Sequence, residues 1–243
     1  MSVEQPLITL SIVSHGQSAM VANLFYDLNR LPTNDFEVIL TFNVPEETTI
    51  YLGNPFSVQI IRNIKPRGFG ANHNAAFTRS RGRYFAVVNP DIRIPALDID
   101  CLVQLFERAE VGAVAPMILS SKGNIEDSAR RFPTFSRLLR RVIFNNKQPD
   151  YTPGNLPIDV DWVGGMFIIF RPDSFRALGG FDEKRFFMYY EDVDICRRLW
   201  LSGWQVYLHP QASVVHQAQR ASHRNFKHLR WHLTSAIRYL SNF

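Results

Sequence analysis

The sequence is poor in cysteine, in long apolar runs and, over two stretches, in acids. Its two cysteines, Cys101 and Cys196, are too few for a disulfide framework or a thiolate metal site. The longest apolar run, 162–170, has nine residues including two glycines. A membrane-spanning helix needs roughly 20, so an integral membrane protein is excluded. No basic stretch followed by an apolar one opens the chain, so no secretory signal is visible and a reducing cytoplasm is the expected location. Compositional bias is also missing. Over 243 residues, 46% are hydrophobic and 20% charged, which is globular usage and excludes a disordered chain. At roughly 150 residues per domain the length fits one large domain, or one with an appendage.

What is present in excess is positive charge, net +5, and it is localised. Arg130, Arg131, Arg137, Arg140, Arg141 and Lys147 follow one another without an intervening acid. So do Arg220, Arg224, Lys227, Arg230 and Arg238 near the end. Such tracts suit phosphate-bearing or membrane-surface partners; a plain solvated basic face is the alternative. In the first tract Phe132, Phe135, Leu138, Leu139, Val142, Ile143 and Phe144 interleave with the arginines. That amphipathic pattern predicts peripheral, salt-sensitive contact with an anionic membrane, unless these side chains pack on the rest of the protein.

Periodicity predicts a strand at Leu7–Val13, a helix at Gln17–Leu31, strands at Phe36–Phe42 and Ser57–Ile61, a helix at Ala71–Ser80 and a strand at Arg83–Val88. This β-α-β-β-α-β order implies an α/β fold with a mostly parallel central sheet flanked by helices. Ligands then bind beyond the carboxyl ends of the strands. Further on, Leu97–Glu110 reads as helix, Val111–Ala115 as strand, and Val160–Phe170 as a strand interrupted at Gly164-Gly165. Asp192–Leu201 reads as helix, Trp204–Leu208 as strand, and Ser222–Leu240 as an amphipathic helix.

Four motifs carry chemistry. Phe85-Ala86-Val87-Val88-Asn89-Pro90-Asp91 delivers a carboxylate to a strand end, where it can ligate a divalent cation bridging a diphosphate; Asn-Pro-Asp is equally good turn chemistry. Glu191-Asp192-Val193-Asp194 places three acids at a helix start. One would serve as a cap, but three together suggest mutual repulsion that raises a carboxyl pKa for general-base work. Gly68-Phe69-Gly70-Ala71-Asn72-His73-Asn74 permits close backbone approach to a nucleotide, and is neither a dinucleotide fingerprint nor a P-loop. Val214-Val215-His216 ends an apolar run on a histidine, of interest only as a partner of Asp91 on one cation.

Taken in order, Asn72-His73-Asn74, Asn89-Pro90-Asp91, Asp161-Trp162-Val163-Gly164-Gly165, Gly179-Gly180-Phe181-Asp182-Glu183, Phe187 to Asp194 and His216 resemble the inverting family 2 glycosyltransferases of the GT-A fold. The tail Arg230 to Leu240 is similar to that of bacterial O-antigen rhamnosyltransferases, which add L-rhamnose from dTDP-rhamnose to N-acetylglucosamine on a polyprenyl diphosphate. The resemblance implies a single catalytic domain over 1–215. Its nucleotide-binding half would span 1–95 and its acceptor half 96–215, with a basic excursion at 122–151 and a basic amphipathic helix at 216–243. It also implies Mg²⁺ or Mn²⁺ as cofactor, a nucleotide-sugar donor and a lipid-linked saccharide acceptor. Nucleic acid is not expected as a partner, and the expected location is the inner face of the cytoplasmic membrane.

By the same resemblance, Val13, Ser14 and Asn43 would meet the nucleotide, with Gly68, Phe69, Asn72 and Asn74 flanking base and ribose. Asp91 and His216 would hold the metal. Asp192 would be the base, with Glu191 and Asp194 setting its charge environment. Trp162, Gly164 and Tyr190 would shape the acceptor pocket, Gly165 the donor sugar, and Arg198 would pair with Asp194 or reach the diphosphate. Two departures stand out: Phe42 replaces an acid frequent before the position of Asn43, and Asn89 replaces the first acid of the metal motif. A transferase of the same fold using a UDP- or GDP-sugar is the main alternative; a nucleotidyltransferase is disfavoured, because Ser14-His15-Gly16-Gln17 is not a Gly-rich loop bearing Arg or Lys.

Overall fold

A computed structural model describes residues 5–31, 36–46, 53–137, 140, 148–217 and 226–241, for 226 and 227 the backbone only. In chain order the elements are β1 (Ile8–Ser14), α1 (Ser18–Leu28), β2 (Phe36–Phe42), β3 (Ser57–Arg62), α2 (Phe69–Phe77), β4 (Tyr84–Val88) and β5 (Ile92–Arg93). Then come α3 (Ile99–Val103), a 3-10 turn (Gln104–Glu107), β6 (Val111–Ser120), β7 (Ala129–Arg130), β8 (Ile158–Asp159), β9 (Trp162–Val163) and β10 (Phe167–Phe170). The last are α4 (Pro172–Ala177), α5 (Glu191–Leu201), β11 (Gln205–His216) and α6 (Phe226–Leu240).

Among the described residues a nine-stranded sheet runs β3-β2-β1-β4-β10-β6-β11-β5, with β8 added against β11. The β3, β2, β1 and β4 strands are parallel, as are β6 and β11, while β10 runs antiparallel between β4 and β6. Alternation explains the layering. Tyr84, Ala86 and Val88 of β4, with Phe167 and Ile169 of β10, pack toward α1 and α3. Phe85 and Val87, with Ile168 and Phe170, pack on the other face toward α4 and α5. Both faces are covered, so β1, β2 and β4 are buried along nearly their whole length, Thr9, Ser11, Glu37 and Thr41 included.

Several expectations shift. The 97–110 segment is a five-residue helix, capped by the Asp98 side chain on the Cys101 N–H, followed by a 3-10 turn. Val160–Phe170 is not one strand. β9 pairs with β7 in a separate two-stranded sheet, and the chain re-enters the main sheet only at β10. The β6 and β11 strands run to Ser120 and His216, beyond their expected ends at Ala115 and Leu208, so His216 closes a strand rather than opening the C-terminal helix. The expected membrane-facing residues Leu138, Leu139, Val142, Ile143 and Phe144 lie outside the described residues.

Buried ion pairs anchor the frame around the sheet's carboxyl edge. Asp27 of α1 accepts from both Arg93 Nε and Nη2, at 2.7 and 2.6 Å, and from the Ile94 N–H at 2.8 Å. Burial alone would raise the Asp27 pKa, but these donors hold it below its ordinary value. The contact pins β5, and with it the turn through Asp91, to α1.

Candidate active site

The β4 strand ends at Val88, and Asn89 is fixed there by its N–H on the Met166 carbonyl, at 2.9 Å. Beyond this edge opens a cavity of about 1040 Å³. Phe69 of α2 and Asn89 reach it from the first half of the chain; Trp162, Gly165 and Met166 from the β9–β10 segment; Tyr190, Glu191 and Asp192 from the start of α5.

Asp192 is held in a defined orientation. Its Oδ2 accepts from the Gly165 N–H at 3.0 Å and its Oδ1 from the Val193 N–H at 2.9 Å. A Cβ on Gly165 would stand 3.2 Å from the Phe69 ring and 3.6 Å from the Asp192 Cβ, so a side chain there would press on the ring. Glu191 is 6% exposed, and its Oε2 is buried with no hydrogen-bond partner. Burial, and then the charge of Asp192, push its pKa up to about 8. The Asp192 pKa is also raised by burial, but its two backbone N–H donors and the positive charge of Arg130 favour the ionised form. Glu191 thus keeps its proton at neutral pH, and of the two coupled carboxyls Asp192 is the one whose neighbours favour the charged form.

The segment leading to Asp192 is strained. Tyr189 and Tyr190 have φ of 70° and 69°, a left-handed conformation that costs non-glycine residues about 1–3 kcal/mol each. α6 clamps it. Ser235 Oγ donates to the Met188 carbonyl at 2.9 Å, Tyr189 Oη meets His228 Nδ1 at 2.9 Å, and Trp231 lies 5.0 Å from the Phe187 ring. His232 of the same helix lines the cavity.

Asp91 follows two residues after Asn89. Its Oδ2 lies 3.2 Å from His216 Nε2, and the other ring nitrogen, Nδ1, lies 2.8 Å from Glu126 Oε2. Hydrogen bonding to Asp91, then to Glu126, raises the His216 pKa to about 9 against the opposing effect of burial. Asp91 Oδ1 is buried without a partner, an open acceptor. Among the described residues no three His, Cys, Asp or Glu side chains converge as a ready-made metal cage. The set nonetheless fits an ion of the Mg²⁺ or Mn²⁺ kind. Asp91 offers a carboxylate oxygen, His216 can present Nε2 once neutral with Glu126 orienting Nδ1–H, and substrate phosphate oxygens complete the shell.

Other anticipated residues make contacts within the protein. Ser14 Oγ donates to Glu46 at 2.7 Å, and the Asn43 N–H donates to the Ser14 carbonyl at 2.8 Å. These two and Val13 sit together at the ends of β1 and β2, outside the wall that carries Asp192. Asn43, Asn63 and Asn72 form an amide chain (Asn63 Nδ2 to Asn43 Oδ1 at 2.8 Å and to Asn72 Oδ1 at 2.6 Å) that braces the 63–68 loop. Asn74 is turned away to Phe181, whose N–H and carbonyl it binds at 2.9 Å each. Gly68 is required by protein packing, since a Cβ there would lie 2.5 Å from the Phe187 carbonyl oxygen. The Gly164 N–H is spent on the Ser128 carbonyl at 2.7 Å.

Arg198 pairs with Asp194 at 2.7 Å and donates to the carbonyls of Leu178 and Gly180, so its guanidinium is committed within the protein. Asp194, bound also by Arg185 at 3.4 Å, is thereby neutralised and lies off the cavity wall. Sequence reasoning missed Glu126, 90 residues from His216, and His232, neither of which has a local signature. It saw Arg130, Arg131, Arg137 and Arg140 as a face for phosphate-bearing or membrane-surface partners without placing them; they line the cavity.

The family model described as "Glycosyl transferase family 2" matches residues 9–167. The chain is 27% identical to "Rhamnosyltransferase WbbL" of Escherichia coli (strain K12), over 97% of this chain and 93% of that one. It is 31% identical to "N-acetylglucosaminyl-diphospho-decaprenol L-rhamnosyltransferase" of Mycobacterium tuberculosis (strain ATCC 25618 / H37Rv), over 64% of this chain and 54% of that one. It thus spans about half the length of the mycobacterial protein. Among solved structures, a mannosyltransferase from Pyrobaculum calidifontis in complex with GDP-Man and Mn²⁺ aligns with a TM-score of 0.65 at 17% identity, over 96% of this chain and 65% of that one. At such identity the likeness shows the fold, a GT-A-like α/β arrangement.

Proposed function

Because the chain belongs to glycosyl transferase family 2, we propose that it moves L-rhamnose from dTDP-rhamnose onto N-acetylglucosamine carried by a polyprenyl diphosphate. The step would belong to O-antigen or other surface-polysaccharide assembly, and it inverts the anomeric centre. The likeness to two bacterial rhamnosyltransferases supports the sugar, and the mycobacterial one, named for N-acetylglucosaminyl-diphospho-decaprenol, supports the acceptor. The observation that carries the chemistry is the Asp192–Glu191 pair, two coupled carboxyls of which Asp192 is oriented by two N–H groups and lines the cavity beyond the end of β4.

Asp192 takes the proton of the acceptor hydroxyl as that oxygen attacks the anomeric carbon, and the bond to the nucleoside diphosphate breaks on the opposite face. The Gly165 and Val193 N–H groups keep the carboxylate aimed. Protonated Glu191 spares Asp192 a second charge beside it. Trp162 and Tyr190 supply flat surfaces for a sugar ring. Asp91 and His216 would hold Mg²⁺ or Mn²⁺, which supplies charge neutralisation on the departing diphosphate.

No helix among the described residues is long and apolar enough to cross a membrane. Peripheral contact is favoured by α6, whose Leu229, Leu233 and Ile237 are 55%, 54% and 66% exposed along one face, with Arg230 and Arg238 on the same helix. Sedimentation with anionic vesicles at low and high salt tests this; no binding in either removes it.

The reading is tested by offering a panel of dTDP-, UDP- and GDP-sugars with synthetic lipid-diphosphate N-acetylglucosamine and determining product mass and linkage. Transfer from dTDP-rhamnose is expected. Preference for another nucleotide sugar overturns the donor, and no transfer from any overturns the reading.

A further inference from the structure

We infer that Arg131, Arg137 and Arg140 form the seat for the acceptor's diphosphate, the anionic bridge between its sugar and its lipid. The inference rests on the transferase reading above and names a binding site within it.

All three arginines line the cavity that contains Asp192. Among the described residues no carboxylate pairs with their guanidinium groups, whereas the other arginines near the site are spent. Arg130 is on Asp127 at 3.0 Å, Arg185 and Arg198 are on Asp194. Asp150, an acid on the same wall, accepts the Arg131 backbone N–H at 3.1 Å. The Arg131 guanidinium lies over the Tyr151 ring, 5.7 Å from its centroid. Three uncompensated cations around one concavity focus positive potential into it and call for an anion.

Their position selects which anion. The segment bearing them follows β7, which pairs with β9 (Arg130 with Trp162), and β9 leads directly into Gly165, whose N–H holds Asp192. They therefore share a wall with the base and with Trp162, the side on which the acceptor hydroxyl must lie. The donor's diphosphate is provided for elsewhere, at the β4 end, where Asp91 keeps an open oxygen. A sugar–diphosphate–lipid diester carries two negative charges at neutral pH. Planar guanidinium forks match phosphate oxygens in pairs, which lysine does not.

The test is the double variant Arg137→Gln/Arg140→Gln, whose exposed side chains leave folding untouched, assayed with detergent-dispersed acceptor. The KM for lipid-diphosphate N-acetylglucosamine should rise about 10- to 100-fold, with donor KM within about 2-fold of wild type. An alkyl glycoside of the same sugar and chain length, without the diphosphate, should be used equally poorly by both proteins. A rise in donor KM instead, or no change in either, overturns the assignment. So does a loss seen only when the acceptor is presented in vesicles, which would make the arginines a membrane contact. Inorganic pyrophosphate titrated onto the free protein in EDTA separates this from the transferase reading. Weaker binding by the double variant supports the anion seat even if wild type transfers no sugar, and unchanged binding overturns it.

Discussion

Replacing Asp192 by Asn while replacing Glu191 by Gln in a separate protein tests the division of charge between two adjacent carboxyls. An amide at 192 keeps the size of the side chain but can accept from only one of the two N–H groups, Gly165 at 3.0 Å or Val193 at 2.9 Å. Losing one such bond costs about 1 kcal/mol. Losing the base costs roughly 10²–10⁴ in turnover, equivalent to about 3–5 kcal/mol, so the kinetic loss should exceed anything the structural change explains. Gln at 191 instead imitates the protonated side chain present at neutral pH. Turnover at pH 7 should stay within about 10-fold of wild type. The pH profile should change, since the wild-type inflection near the Glu191 pKa of about 8 has no counterpart in the variant. Stability follows with the opposite reference. The folded state keeps the Glu191 proton up to about 8 while the unfolded chain releases it near 4.5, so wild type loses stability as pH rises through that window and Glu191→Gln does not. Urea titrations and initial rates across pH 5–9 read both effects. Near-normal turnover by Asp192→Asn, or equal losses in the two variants, refutes the reasoning.

Three further outcomes follow from the packing. His73, buried beside Ser11 with Nε2 unpartnered, has its pKa pushed down by burial to about 3. The unfolded chain takes up a proton below about 6.5 that the folded one refuses, so stability should fall toward acid by up to about 1.4 kcal/mol per pH unit, and His73→Asn should flatten that slope in urea titrations. Gly68→Ala should cost about 1–3 kcal/mol and lower turnover, because the new methyl meets the Phe187 backbone just before the catalytic segment; an unchanged denaturation midpoint would contradict the packing. Arg93→Met should destabilise by about 3–5 kcal/mol by leaving Asp27 buried and unpaired, measured by chemical denaturation at pH 7, with a smaller loss contradicting the pairing.

The first four strands and the acids after them were legible because both faces of this sheet region are buried and strand ends coincide with Ser14, Asn43 and Asn89. The β6 and β11 strands were not, for a specific reason. Pro116 and Pro210 follow the expected ends at Ala115 and Leu208, and proline cannot donate to a ladder. In the fold a register shift between His209 and Ser213 takes up the irregularity and lets the pairing continue to His216 opposite Ser120. That continuation brings His216 to Asp91 and Glu126. The arginine tract was visible as charge, but its direction was not, because only the pairing of β7 with β9 turns it toward Asp192. Asn74 matched the family pattern as a ligand and binds protein groups, which a linear motif cannot distinguish, while Arg198 makes the Asp194 pair that was one of its two expected roles. The left-handed pair Tyr189-Tyr190 has no compositional sign, since neither is glycine or asparagine.

The most direct test of the central claim, a lone carboxylate activating the acceptor opposite the departing diphosphate, is the anomeric configuration of the product, read by NMR coupling constants on the newly formed linkage. The account predicts a configuration inverted from that of the donor. Retention would contradict it, because two displacements would then be required and Asp192 would not be the base of a single one.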